Sequence, residues 1–186
     1  EDRRHWFPTL APDGVGGAIV TYSSFMAPGI SDDIRAQRVS AEGITVWGPD
    51  GVALCDVAGP QKFPVITADG AGGAIVAWPD ARIASDIYAQ RVDGDGVTLW
   101  APDGIALCTA IGEQYDLRIA GDGLGGAMVS WTDGRDGYYQ GMDVYAARVS
   151  ATGSLVWSSD GVALCTADGD QRRSAIVSDG AGGAIV

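Results

Sequence analysis

The sequence has one histidine, one lysine and three cysteines, and no apolar run near the ~18 residues that a membrane-crossing helix needs. A single histidine, His5, leaves little room for His-centred acid–base or metal chemistry. Three cysteines cannot all pair. Cys55, Cys108 and Cys165 each stand in the same local phrase, so they read as small buried apolar residues and not as a disulfide framework. Positive charge is scarce: 12 Lys+Arg face 24 Asp+Glu, a formal net charge of −12. A surface of that sign repels phosphate backbones and sets nucleic acid aside as a partner. The H-E-x-x-H, G-x-S-x-G and P-loop signatures are missing, and the glycine-rich turns lack the following helix that phosphate binding needs. No long 3.6-residue periodicity occurs, so helices are not expected. The chain opens Glu-Asp-Arg-Arg, with neither Met nor a signal peptide, which reads as a processed or excised segment.

What is abundant is glycine, 28 of 186 residues, about double the usual share. With 46% hydrophobic residues the chain has material for a core and is not an acidic disordered tail. The glycines fall in a repeat. Asp13-Gly14-Val15-Gly16-Gly17-Ala18-Ile19-Val20 returns at Asp69–Val76, Asp122–Val129 and Asp179–Val186. Three further phrases follow: Arg35-Ala36-Gln37-Arg38-Val39 with copies ending at Val92 and Val149, a tryptophan at 47, 100 and 157, and Asp50-Gly51-Val52-Ala53-Leu54-Cys55 with copies ending at Cys108 and Cys165. The Asp-Gly turns are 56, 53 and 57 residues apart, and one connection, after the second strand, absorbs all the length variation.

Each repeat parses into four strands. In the second repeat these are Phe63–Thr67, Ala74–Trp78, Asp86–Val92 and Val97–Trp100, the last with a possible continuation to Cys108. The apolar runs Ala-Ile-Val-Ala and Ile-Ala-Leu-Cys predict sheets buried on both faces. Four antiparallel strands per ~50 residues describe a β-propeller blade. The expected fold is therefore all-β, a β-propeller of four-stranded antiparallel blades. It comprises three blades plus half of a fourth, over repeats at approximately 5–60, 61–113, 114–170 and 171–186.

On the phrases D-G-x-G-G-A-[IM]-V-x-W, Y-A-x-R-V and D-G-x-A-L-C, nearly the whole chain resembles the tandem propeller-like repeats of secreted or cell-surface bacterial proteins. That resemblance implies the propeller fold and an extracellular or cell-surface location, in a group mostly without an assigned activity. A weaker similarity runs to the Asp-box hairpin of sialidases, S-x-D-x-G-x-T-W. Ser40-Ala41-Glu42-Gly43 ending at Trp47, and Ser150-Ala151-Thr152-Gly153 ending at Trp157, match it except for one extra residue before Trp and Glu or Thr at the central acid.

A repeat lets the chain serve as its own control. Residues common to all copies belong to the scaffold, and residues that differ are candidates for a site. Arg38, Arg91 and Arg148 are equivalent, and read as hydrogen-bonding between blades. Asp80-x-Arg82 and Asp133-x-Arg135 read as structural pairs. His5 aligns with Gln61, Gln114 and Gln171 and reads as a polar strand-lead position. In an antiparallel meander, the variable second-to-third loops and the strand lead-ins share one edge, opposite the invariant turns. The candidate ligand-binding residues there are Trp6, Phe25, Met26, Lys62, Tyr115, Arg118, Tyr138 and Tyr139. Aromatics with nearby Arg suit carbohydrate or protein ligands.

The expected function is a non-enzymatic extracellular scaffold or binding module for a carbohydrate or protein surface, without membrane insertion and without a cofactor. Paired acids such as Asp32-Asp33 and Asp93/Asp95 keep alive a glycan-processing, sialidase- or glycosidase-like alternative, and also a bound calcium. Propellers close with four to eight blades. The length thus raises two further expectations: flanking blades in a longer chain, or a self-assembling homo-oligomer.

Overall fold

The structure, a computed structural model, describes residues 4–25, 32–137 and 141–186. They form three four-stranded antiparallel sheets and one two-stranded sheet, each with its strands in sequence order. The first sheet is β1 (Arg4–Pro12), β2 (Ala18–Phe25), β3 (Asp32–Val39) and β4 (Val52–Cys55). The second is β5 (Val65–Ala68), β6 (Ala74–Asp80), β7 (Asp86–Val92) and β8 (Ile105–Cys108). The third is β9 (Gln114–Gly121), β10 (Ala127–Asp133), β11 (Asp143–Val149) and β12 (Val162–Cys165). The last pairs β13 (Val177–Ser178) with β14 (Ala184–Ile185). The first strands lie side by side, β1 against β5, β5 against β9 and β9 against β13. Among the described residues no helix is long and apolar enough to cross a membrane.

Two strand assignments differ from the sequence reading. The fourth strand is not Val97–Trp100. That segment meets the third strand through an isolated bridge between Val92 and Thr98 and through the Trp100 N–H, which donates to Gln90 Oε1 at 3.0 Å, and the ladder is completed by the continuation, Ile105–Cys108. The tryptophan in it serves another contact, described below. The first strand of the second repeat starts at Val65 and not at Phe63. Phe63 has a φ of 51°, outside the extended region.

The core lies between the sheets. Strand side chains alternate, so β6 serves two neighbours at once. Ala74, Val76 and Trp78 pack with Ile19, Ile34 and Leu54 of the first sheet. Ile75 and Ala77 pack with Ala127, Val129 and Trp131 of the third. This explains the consecutive apolar residues of β6 and β10, which are buried on both faces. Leu54 and Leu107 are covered in the same way, whereas Leu164, at the matching position in β12, is 43% exposed.

One clamp repeats between sheets. Asp69 Oδ1 accepts the N–H groups of Ala71 and Gly73 at 2.8 Å, closing the turn, while Oδ2 takes the Arg91 guanidinium at 2.8 Å. Arg91 then donates to the Ala151 carbonyl in the next repeat at 2.9 Å, and the Trp100 indole N–H donates to the same oxygen at 3.2 Å. Asp13, Arg38, Trp47 and the Gly94 carbonyl make the same arrangement one repeat earlier. Close approach requires glycine at several of these turn positions, Gly73 and Gly96 among them. A Cβ on Gly73 would stand 2.2 Å from the Val92 carbonyl oxygen, and one on Gly96, where φ is 86°, would press on the Trp47 ring at 3.1 Å. Burial pushes the Asp69 carboxyl up, but the N–H groups of Ala71 and Gly73 and the Arg91 guanidinium outweigh it and hold the group below the ordinary carboxylate value.

Candidate functional site

At the sheet edge opposite these turns, the strand lead-ins meet the second-to-third connections. The N–H of Gln61 donates to the Asp32 carbonyl at 2.9 Å, that of Ala81 to Pro60 at 3.0 Å, and that of Gly134 to Glu113 at 2.9 Å. Gln61 and Gln114 are fully buried there. Gln171 anchors its own lead-in by donating to the carbonyls of Ala167 and Gly169. His5, in the same column, is exposed and meets the Tyr22 ring edge-on at 4.7 Å. Its role is that of a lead-in side chain set edge-on against a neighbour.

Two residues after each of these anchors the backbone turns left-handed. Phe7, Phe63, Asp116 and Arg173 have φ values of 54°, 51°, 53° and 57°. The first-to-second strand ladders are interrupted at these points, between Trp6 and Thr9 in the first sheet and opposite Trp131 in the third. A left-handed conformation in a bulky residue is a true outlier and costs on the order of 1–3 kcal/mol per residue. Each of the four repeats has such an outlier at the same point, and together they mark a strained rim along the first strands. Phe7 and Phe63 point out of it, 43% and 53% exposed, with ring centroids 4.2 Å apart and planes 45° apart.

Two clefts open on this rim. The larger, about 430 Å³, is walled by Phe7, Pro8, Phe63 and Pro64 on one side and by Tyr115, Asp116 and Arg118 on the other. The smaller, about 290 Å³, lies among Arg4, Trp6, Phe7, Phe25 and Lys62, with Ser23 and Asp32 beneath. Phe7 belongs to both. Lys62 is held by Asp32 at 2.9 Å. Burial pushes the Tyr115 phenol up, with Arg172 opposing and Asp116 and Asp170 reinforcing. One guanidinium N–H of Arg118 donates to the Leu117 carbonyl at 2.8 Å.

Of the residues singled out in the sequence, Trp6, Phe25 and Lys62 thus gather at the smaller cleft, and Tyr115 and Arg118 at the larger. Met26, Tyr138 and Tyr139 lie outside the described residues. Phe7 and Phe63, which form the apolar centre of the rim, are additions made by the structure. Their signal was the repeat column itself, in which Phe, Phe, Asp and Arg differ. It was masked because a residue before proline, as in Phe7-Pro8 and Phe63-Pro64, normally favours extended backbone.

A wider recess of about 580 Å³ lies at the other edge, between the turns around Gly70 and Gly123. Its walls are mostly glycine and alanine, and its charged members Asp69 and Arg91 already bind each other. Asp93, proposed above as a cation ligand, has one carboxylate oxygen on the N–H groups of Asp95 and Val97, at 3.0 and 2.9 Å, and so shapes its own turn. The pairs Asp80–Arg82 and Asp133–Arg135, each at 2.7 Å, are covered by tryptophan and tyrosine. The indoles of Trp78 and Trp131 donate to the same acids, and the guanidinium groups lie 3.8 and 3.7 Å over the Tyr88 and Tyr145 rings. They are structural.

No family model matches the sequence, and no curated protein does. Among solved structures, the chain is similar to an endo-arabinase from Bacteroides thetaiotaomicron VPI-5482, at a TM-score of 0.49 and 17% identity, over 86% of this chain and 62% of that one. The chain therefore spans under two thirds of the length of that protein.

Proposed function

We propose that the sheets are blades of a β-propeller and that the strained rim of first strands is a saccharide-binding surface on a non-enzymatic, extracellular protein. One observation carries the reading: two exposed phenylalanine rings, Phe7 and Phe63, are presented side by side from left-handed backbone at the mouth of a cleft that also holds Asp116 and Arg118. Exposed rings in strained backbone are expensive for a scaffold and useful to a ligand. Flat rings supply apolar area to a sugar face at low entropic cost, and Asp and Arg supply acceptors and donors for its hydroxyls. The cleft volumes lie within or just under the range of small-ligand sites, whereas a stable protein partner would cover a patch on the order of 800 Å². Glycosidic cleavage uses two carboxyl groups flanking the bond. Among the described residues the larger cleft is lined by one, Asp116, which suits holding a sugar better than cutting it.

Affinity electrophoresis through gels carrying neutral and acidic soluble polysaccharides tests this. Migration should slow in at least one gel, and the Phe7→Ala/Phe63→Ala double variant should lose that retardation with unchanged far-ultraviolet circular dichroism. Unretarded migration in every gel contradicts binding. Release of reducing ends by the wild-type chain contradicts the non-enzymatic part.

A further inference from the structure

The repeats differ in two columns along the first strands and their lead-ins. Arg118 stands where the other repeats have Thr9, Val65 and Ala175, and Asp116 stands where they have Phe7, Phe63 and Arg173. The larger cleft thus has an apolar wall from the first two repeats and a polar wall from the third. The positive charges tell the same story. Seven ion pairs, among the described residues, take one cation each. Of the described cations outside them, Arg35 is held by the carbonyls of Asp50 and Gly51. The other three, Arg4, Arg118 and Arg173, all lie on or just before first strands. In a chain with twice as many acids as bases, guanidinium groups without an acid partner are concentrated on the rim.

We infer that the cleft is selective for a carboxylate-bearing saccharide, a hexuronate unit stacked on Phe7 and Phe63 with its carboxylate on Arg118 and its hydroxyls toward Asp116. This rests on the reading of the cleft as a saccharide site. The bond from Arg118 to the Leu117 carbonyl pins one end of the guanidinium and leaves its other N–H groups for the ligand. That planar fork matches a carboxylate in two-point contact, which a neutral hydroxymethyl group cannot reproduce. The acidity of the chain does not oppose this. The turn acid nearest Arg118 along its strand, Asp122, is four residues on, about 13 Å of extended chain and more than one screening length at 0.1 M salt, and it holds Arg148. At the near edge Asp32, Asp80, Asp133 and Asp170 each hold a cation of their own.

The test compares polygalacturonate with the same polymer after chemical reduction of its carboxyl groups, by calorimetric titration into the 186-residue chain and into Arg118→Thr, which installs the residue of the first repeat. The wild-type chain should bind the acidic polymer about tenfold to a hundredfold more tightly than the reduced one, as expected for charge-assisted hydrogen bonds. Arg118→Thr should abolish that preference, bringing the affinity for the acidic polymer down to that for the reduced one. Equal binding of both polymers by the wild type, or a preference that survives in Arg118→Thr, overturns the carboxylate assignment and leaves the saccharide site standing. Binding of neither polymer overturns the carboxylate assignment, and unretarded migration in every gel of the electrophoresis overturns the saccharide site as well.

Discussion

Replacing Phe63 with glycine and, separately, with alanine inverts an ordinary rule of β-structure. In a regular strand glycine is about 0.5–1 kcal/mol worse than alanine, because it has more conformational freedom to lose. At Phe63 the backbone is left-handed, at φ 51°. There any Cβ costs about 1–2 kcal/mol, and glycine costs none of it. Both variants lose the same ring, which is 53% exposed and touches Phe7. That loss, about 1–2 kcal/mol from half a buried side chain and one ring contact, cancels in the comparison. The difference left is strain relief less glycine's entropy. Phe63→Gly should therefore be the more stable of the two by about 1 kcal/mol, or 2–4 °C in melting temperature for a chain of this size. Thermal and urea melts of the two variants measure it. Both should also lose polysaccharide binding. If the alanine variant is the more stable, the rim is not strained and the main reason for assigning it a ligand disappears.

Three other outcomes follow from the scaffold. Cys55 and Cys108 are buried, with thiols pushed up by that burial to about 12 and about 11, and Cys165 is exposed. A thiol reagent at pH 8 should label one cysteine per native chain and three per unfolded chain. Removing the Arg91 partner by Asp69→Ala should cost about 3–5 kcal/mol in urea unfolding, since it frees a largely buried guanidinium and two turn N–H groups. Acid should act through the same turns. Asp13, Asp69, Asp122 and Asp179 all lie below the ordinary value of about 3.9, so their contribution is complete above it and lost as pH falls through the folded values. Burial raises Asp86 and Asp143, which work in the opposite sense as they protonate, so the melting temperature should hold down to about pH 4 and drop below it.

The architecture was legible in the sequence because it is written four times. Aligning the copies separated Arg38, Arg91 and Asp80–Arg82 from any special role, and the structure finds all of them in scaffold bonds. The tryptophan phrase was misplaced as a strand because its apolar residues alternate. In the structure Trp47 and Trp100 reach across to the next repeat instead. The site was legible as an edge but not as a shape. Comparing columns pointed to Trp6, Lys62 and Tyr115, one position short of the rim centre. Nothing in Phe-Pro announces left-handed backbone, which arises only when the first strand must bulge to keep its pairing with the second. Arg118 was legible as a charge and became informative only beside Asp116 and the two rings.

The central claim is that ligand binds at the variable rim and not at the invariant turns. Amide hydrogen exchange, with and without a saturating polysaccharide, addresses it directly. The account predicts added protection in segments 5–9, 61–65 and 114–118, with none in the turns 69–73 and 122–126. Protection centred on those turns, or spread evenly over the chain, would contradict it.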